Sequence, residues 1–105
     1  YDTELYTHKK MKTDPALALT VLTEALEILA SLPEWDVEPI HAALIGLAES
    51  SGRKNGQVMW PVRIAASGTA VTPGGAVEIL ALLGREESLG RIRAGVGKLR
   101  PQVQS

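Results

Sequence analysis

The stretch Arg53-Lys54-Asn55-Gly56-Gln57-Val58-Met59-Trp60-Pro61-Val62-Arg63-Ile64-Ala65-Ala66-Ser67-Gly68-Thr69-Ala70-Val71-Thr72-Pro73-Gly74-Gly75-Ala76 decides how the rest of the chain is read. Asn55-Gly56 is a turn signal. From Gln57 to Ser67 the pattern is helical: Val58, Val62 and Ala65 can face a core, and Gly68 is the stop. Pro61 is placed near the first full turn, because deeper in a helix its missing N–H would kink the axis. Thr72 then reads as an N-cap and Pro73 as the first helical residue of a new helix. Two short helices and a turn, with no period-two alternation, already point away from β structure.

Working outward toward the N-terminus, Trp35-Asp36 opens a helix with Asp36 as N-cap. Trp35 can staple against Ile40, four positions in. Val37, Ile40, Leu44 and Leu47 form its buried stripe, with Ala43 and Ala48 beside it, and Gly52 closes it. Before it, Asp14-Pro15 reads as N-cap and first helical residue. Ala18, Leu22, Ala25, Leu26 and Leu29 share one face there, flanked by Val21 and Ile28, and Thr20, Glu24, Glu27 and Ser31 line the other. That helix should end near Ser31, ahead of Pro33. Tyr1 to Lys12 reads as the end of a further helix. The cluster Lys9-Lys10-Met11-Lys12 fits cations complementing a helix C-terminus, with phosphate contact as the alternative.

Toward the C-terminus, the helix opened by Thr72 buries Val77, Ile79, Leu80, Leu82 and Leu83 and stops at Gly84. A last helix, about Glu86 to Leu99, turns Leu89, Ile92, Val96 and Leu99 inward and Arg91, Arg93, Lys98 and Arg100 outward. Gly90, Gly95 and Gly97 each weaken it by roughly 1 kcal/mol relative to Ala, and residues 101–105 read as a flexible tail. The expected architecture is all-α, a compact bundle of about five helices in one domain spanning residues 1–105. No internal repeat is present.

Composition agrees. With 105 residues there is room for one core, and 45% apolar residues with no Phe make that core aliphatic. Absence of cysteine excludes a disulfide framework and thiolate metal sites. No apolar run reaches the roughly 18 residues of a membrane span, so the expectation is a cytoplasmic domain with no membrane partner. The chain starts at Tyr1 without an initiator Met, as expected of a piece of a longer protein. The net charge of −1 conceals an asymmetry. Residues 1–49 carry three lysines against nine acids, and residues 50–105 carry eight cations against three acids. A basic second half can be offered to a polyanion; an unevenly charged solvated surface is the plainer account.

No catalytic set suggests itself. Gly74-Gly75 lacks the spacing of a nucleotide-binding loop, Ser50-Ser51-Gly52 is a helix end, and His8 and His41 share no metal-ligand spacing. No metal, cofactor or active site is expected in these residues. A recognition kit remains. The helix start after Thr72-Pro73 offers backbone N–H groups that Gly74 and Gly75 leave unshielded. Arg63 offers a planar fork for a base. Trp60 offers a face on which stacking one unpaired base is worth roughly 1–3 kcal/mol. Lys54 and Arg53 can neutralise phosphates. On the residues alone the plainer account is preferred: Trp60 is core, Arg63 pairs with an acid, and the Thr-Pro-Gly-Gly run is only a cap.

The block Lys-Asn-Gly-Gln-Val-x-Trp-Pro-Val-Arg-x-Ala-x-Ser-Gly of residues 54–68, followed by Thr72-Pro73-Gly74-Gly75-Ala76, resembles the C-terminal anticodon-binding domain of bacterial glutamyl-tRNA synthetases. The likeness extends over nearly the whole chain, from Tyr1-Asp2 to Leu82-Leu83-Gly84-Arg85-Glu86-Glu87-Ser88-Leu89 and Arg91-Ile92. It implies an all-helical cage around the anticodon loop of glutamate tRNA, with bases splayed out and read singly. It further implies that Arg63 contacts an anticodon base. Thr72, Pro73, Gly74 and Gly75 would line a pocket for the first two anticodon positions, Trp60 would help pack the loop, and Lys54 would lie near the RNA backbone. Gly75 and Ala76 are smaller than the residues some members place there, and Val62 stands for the usual leucine. The parent would attach glutamate to tRNA using ATP, in a catalytic domain outside these residues, so the fragment would bind without catalysing. The implied partner is a tRNA anticodon stem-loop, bound by a monomer, with no DNA. The competing possibility is a helical protein-docking module, which needs a contiguous apolar patch around Trp35 or Trp60.

Overall fold

The helix over Pro15–Ala30 (α1) forms where the apolar periodicity places it: Asp14 caps it, its carboxylate accepting from the Leu17 N–H at 2.7 Å, and Pro15 takes the first position. The computed structural model describes residues 3–69 and 74–104. Within them α2 runs Val37–Ser51, α3 Asn55–Ser67, α4 Ala76–Leu83 and α5 Arg85–Gln104, after a single 3-10 turn at Thr3–Tyr6. The domain is all-α, as the sequence leads one to expect, and no helix among the described residues is long and apolar enough to cross a membrane.

One aliphatic core runs through every helix. Leu22 and Leu29 from α1, Ile40 and Leu44 from α2, Val62 and Ile64 from α3, Leu80 from α4, and Ile92 and Leu99 from α5 are wholly buried. Each contributes roughly 1.5–3 kcal/mol of transfer free energy. α1 and α5 pack along each other, while α3 touches all the other helices and so forms the centre of the bundle. Gly52 closes α2 in the left-handed conformation, φ 69°, which a side chain resists.

Several expectations need correction. Thr3–Tyr6 is a 3-10 turn and not the end of an α-helix. Lys9 to Lys12 follow it in a tight turn closed by backbone pairing of His8 with Thr13, so no helix dipole is there for the lysines to complement. α3 begins two residues earlier than expected, at Asn55, which makes Pro61 its seventh residue and leaves the Gln57 carbonyl without its helical donor. α4 starts at Ala76 with Gly75 at the N-cap position; the expected cap Thr72 and first residue Pro73 lie outside the described residues. Leu82 and Val37, assigned to buried stripes, are exposed, at 89% and 44%. The expected tail is helix: α5 continues through Pro101 to Gln104. Proline is tolerated there because it lies on the solvent face, where water can satisfy the Gly97 carbonyl it leaves unpaired.

Trp35 does more than a local staple. Its indole N–H donates to the Leu80 carbonyl at 2.8 Å, and Ser88 Oγ donates to the same oxygen at 3.0 Å. The Arg85 guanidinium lies 5.5 Å from the Trp35 ring centroid. One carbonyl thereby fixes the α4–α5 corner against the entry to α2.

Candidate nucleic-acid interface

At the far side of α3 the turn after Tyr6 is pinned to the helix start. Gln57 Nε2 donates to the Lys12 carbonyl at 3.2 Å, and its Oε1 accepts from the Lys54 N–H at 2.9 Å. Thr13 Oγ1 donates to the Tyr6 carbonyl at 2.7 Å. Met11 lies directly over Gly56, where an added Cβ would come within 2.6 Å of the Met11 sulfur. These contacts bring exposed Lys9, Lys10 and Lys12 to the same end of the molecule as exposed Lys54. In linear sequence those lysines belong to the acidic half, so the basic rim they form with Lys54 was not legible from charge counts.

The rim borders a pocket of about 290 Å³. Met11 closes one edge, Met59, Trp60 and Arg63 of α3 form one wall, and Val37 and His41 of α2 form another. The start of α4, from Gly75 to Glu78, forms the third. Arg63 therefore faces the beginning of α4 across the pocket. Its guanidinium carbon lies 5.7 Å from the Trp60 ring centroid, so the indole backs the fork.

Trp60 is not an open stacking platform. It is 9% exposed, its Nε1–H donates to the Leu5 carbonyl at 2.9 Å, and His8 packs edge-on at 4.4 Å. Its role is to support Arg63 and to tie the N-terminal turn to α3. Arg53 is also turned away from phosphates: its guanidinium pairs with Glu24 of α1 at 3.0 Å. The α4 start differs from the unshielded one expected. No side chain caps it, but the Glu78 carboxylate folds back over Gly75; a Cβ on Gly75 would lie 2.9 Å from Glu78 Oε2. Glycine at position 75 makes room for a carboxylate, and that carboxylate opposes a phosphate at this helix end. Thr72 and Pro73 lie outside the described residues; Gly74 and Gly75 sit at the mouth of the helix.

Met11, Met59 and Glu78 complete the pocket and were not singled out by sequence reasoning. The methionines carry no chemical signature, and Glu78 reads as an ordinary acid in a first turn. Among the described residues no group of His, Asp or Glu could hold a metal ion.

Residues 1–96 match the family model described as an anticodon binding domain. A glutamate–tRNA ligase of Lachnoclostridium phytofermentans is 50% identical over 94% of this chain and 20% of its own length, and one of Clostridium tetani is 45% identical over 98% and 21%. A crystal structure of a glutamate tRNA ligase from Elizabethkingia meningosepticum, in complex with its amino acid, superposes with a TM-score of 0.74 at 27% identity. That match covers 87% of this chain and 17% of the other. The chain thus spans about a fifth of the length of these curated relatives. Since the family model matches residues 1–96, this chain belongs to the anticodon-binding domain family.

Proposed function

We propose that this domain grips the anticodon stem-loop of glutamate tRNA on behalf of a glutamate–tRNA ligase. The observation that carries the reading is the pocket between α2, α3 and α4, with Arg63 on one wall, the α4 start on another and exposed lysines at its edge. Such a site suits an unstacked loop base, with its flanking phosphates on Lys54 and the Lys9–Lys12 turn. Arg63 donates to a base edge across the pocket from the α4 start. The ATP-dependent attachment of glutamate belongs to a catalytic domain beyond these residues, and the domain acts as a monomer in the cytoplasm. The family match and the named relatives favour RNA binding over the docking-module alternative.

The test is a titration of labelled glutamate-tRNA anticodon stem-loop, with a scrambled loop on the same stem as control. Preference for the native loop, weakening as salt rises, is the expected result. Equal affinity for the two loops overturns specific reading.

A further inference from the structure

We propose that Glu78 makes the pocket discriminate cytosine from uracil. The inference rests on the RNA-loop reading above and goes beyond it in naming the residue and the base edge. The Glu78 carboxylate lies over Gly75 at the pocket mouth, while Arg63 comes from α3 and lines the same cavity. The cavity, about 290 Å³ and walled partly by Val37 and Met59, suits one small planar group with apolar faces. Its polar fittings are an acceptor and a donor of opposite charge.

A cytosine edge offers an amine donor at N4 beside acceptors at N3 and O2. The amine meets the Glu78 carboxylate, and the two acceptors meet the Arg63 fork. Uracil presents O4 where cytosine carries its amine, so a carbonyl oxygen would be forced against the carboxylate. A carboxylate accepting from N4 is an established way of reading cytosine in nucleic acid. Gly75 is what allows it: the space a side chain would fill at this helix start is occupied by Glu78 Oε2.

The experiment uses anticodon stem-loops carrying cytosine or uracil in turn at each anticodon position, with a scrambled loop as control. They are titrated against the wild-type chain, Glu78→Gln and Arg63→Gln. At one loop position the wild-type chain should prefer cytosine over uracil about tenfold. Glu78→Gln should bring that ratio close to one, since an amide can turn its NH2 to the uracil O4, and should raise affinity for every loop alike, the scrambled one included, because a negative charge facing the phosphates is gone. Arg63→Gln should weaken the cytosine loop more than the uracil loop. Native-loop binding with an unchanged ratio in Glu78→Gln overturns the assignment of Glu78 and leaves the proposed function standing. No preference for the native over the scrambled loop overturns both. Should Glu78→Gln fail to fold by circular dichroism, Glu78→Ala decides in its place, an unchanged ratio counting against the proposal.

Discussion

Arg53 and Lys54 are neighbours of like charge, and the fold gives them different work. Arg53 reaches back to Glu24 on α1, whereas Lys54 stands exposed at the α3 start beside the N-terminal turn. Nothing in the sequence separates them, because the partner of Arg53 lies 29 residues away and is fixed only by packing of α1. Arg53→Ala should lower stability by less than about 1 kcal/mol, the range of partly exposed ion pairs, and leave the salt dependence of RNA binding unchanged. Lys54→Ala should leave the urea midpoint unchanged and reduce the slope of log affinity against log salt by about 1. Interchanged outcomes would show that the two side chains have been assigned to the wrong partners. Trp60 makes the same point about legibility. Its helical position beside Arg63 was readable, but its burial depends on the turn that brings the Leu5 carbonyl to its N–H. Trp60→Phe should cost about 1–3 kcal/mol in urea unfolding, because that carbonyl loses its donor in a part-buried site.

At the scale of elements, the boundaries that were legible are those with a strong local cap. Asp14-Pro15, Asp36, Gly52, Gly68 and Gly84 all mark helix ends where expected. The misplaced boundaries are those that tertiary packing moves. α3 takes in Asn55-Gly56 because Met11 covers Gly56 and Gln57 bridges to Lys12. α5 runs past Pro101 because Ile92, Val96 and Leu99 bind it along α1, which outweighs its three glycines and the proline. Two glycines in open space should therefore respond oppositely to alanine. Gly90 has no neighbour within 4 Å of an added Cβ and an ordinary helical φ, so Gly90→Ala should raise stability by about 0.5–1 kcal/mol. Gly52 has equal room but a φ of +69°, so Gly52→Ala should lower stability by about 1–2 kcal/mol. Thermal melts of the two variants, moving in opposite directions from the wild-type midpoint, check this pair.

Across the whole molecule, a recognition pocket shared by α2, α3, α4 and the N-terminal turn keeps its shape only if those elements hold together as one body. The aliphatic core that joins them is continuous: the buried residues of all five described helices form one cluster, and α3 lies against each of the other four. The two tryptophans report on different parts of that body. Trp35 sits at the α4–α5 corner on the Leu80 carbonyl, and Trp60 sits beneath the pocket on the Leu5 carbonyl. A domain of this size with a single core should unfold all-or-none. Trp35→Phe leaves Trp60 as the sole indole and Trp60→Phe leaves Trp35, so each variant has one fluorescent reporter. In each, the urea transition by fluorescence should coincide with that by far-ultraviolet circular dichroism, whatever the shift in midpoint caused by the substitution. If the Trp60 signal were lost at lower urea than the helical signal, the pocket end would be a separate, weaker unit. A base would then have to order that unit on binding, and affinity would carry the cost of ordering it. Coincident transitions would mean that the helices carrying Arg63 and Glu78 are already folded together before the RNA arrives, so that no ordering of the pocket end is charged against discriminating one amine from one carbonyl oxygen by about tenfold.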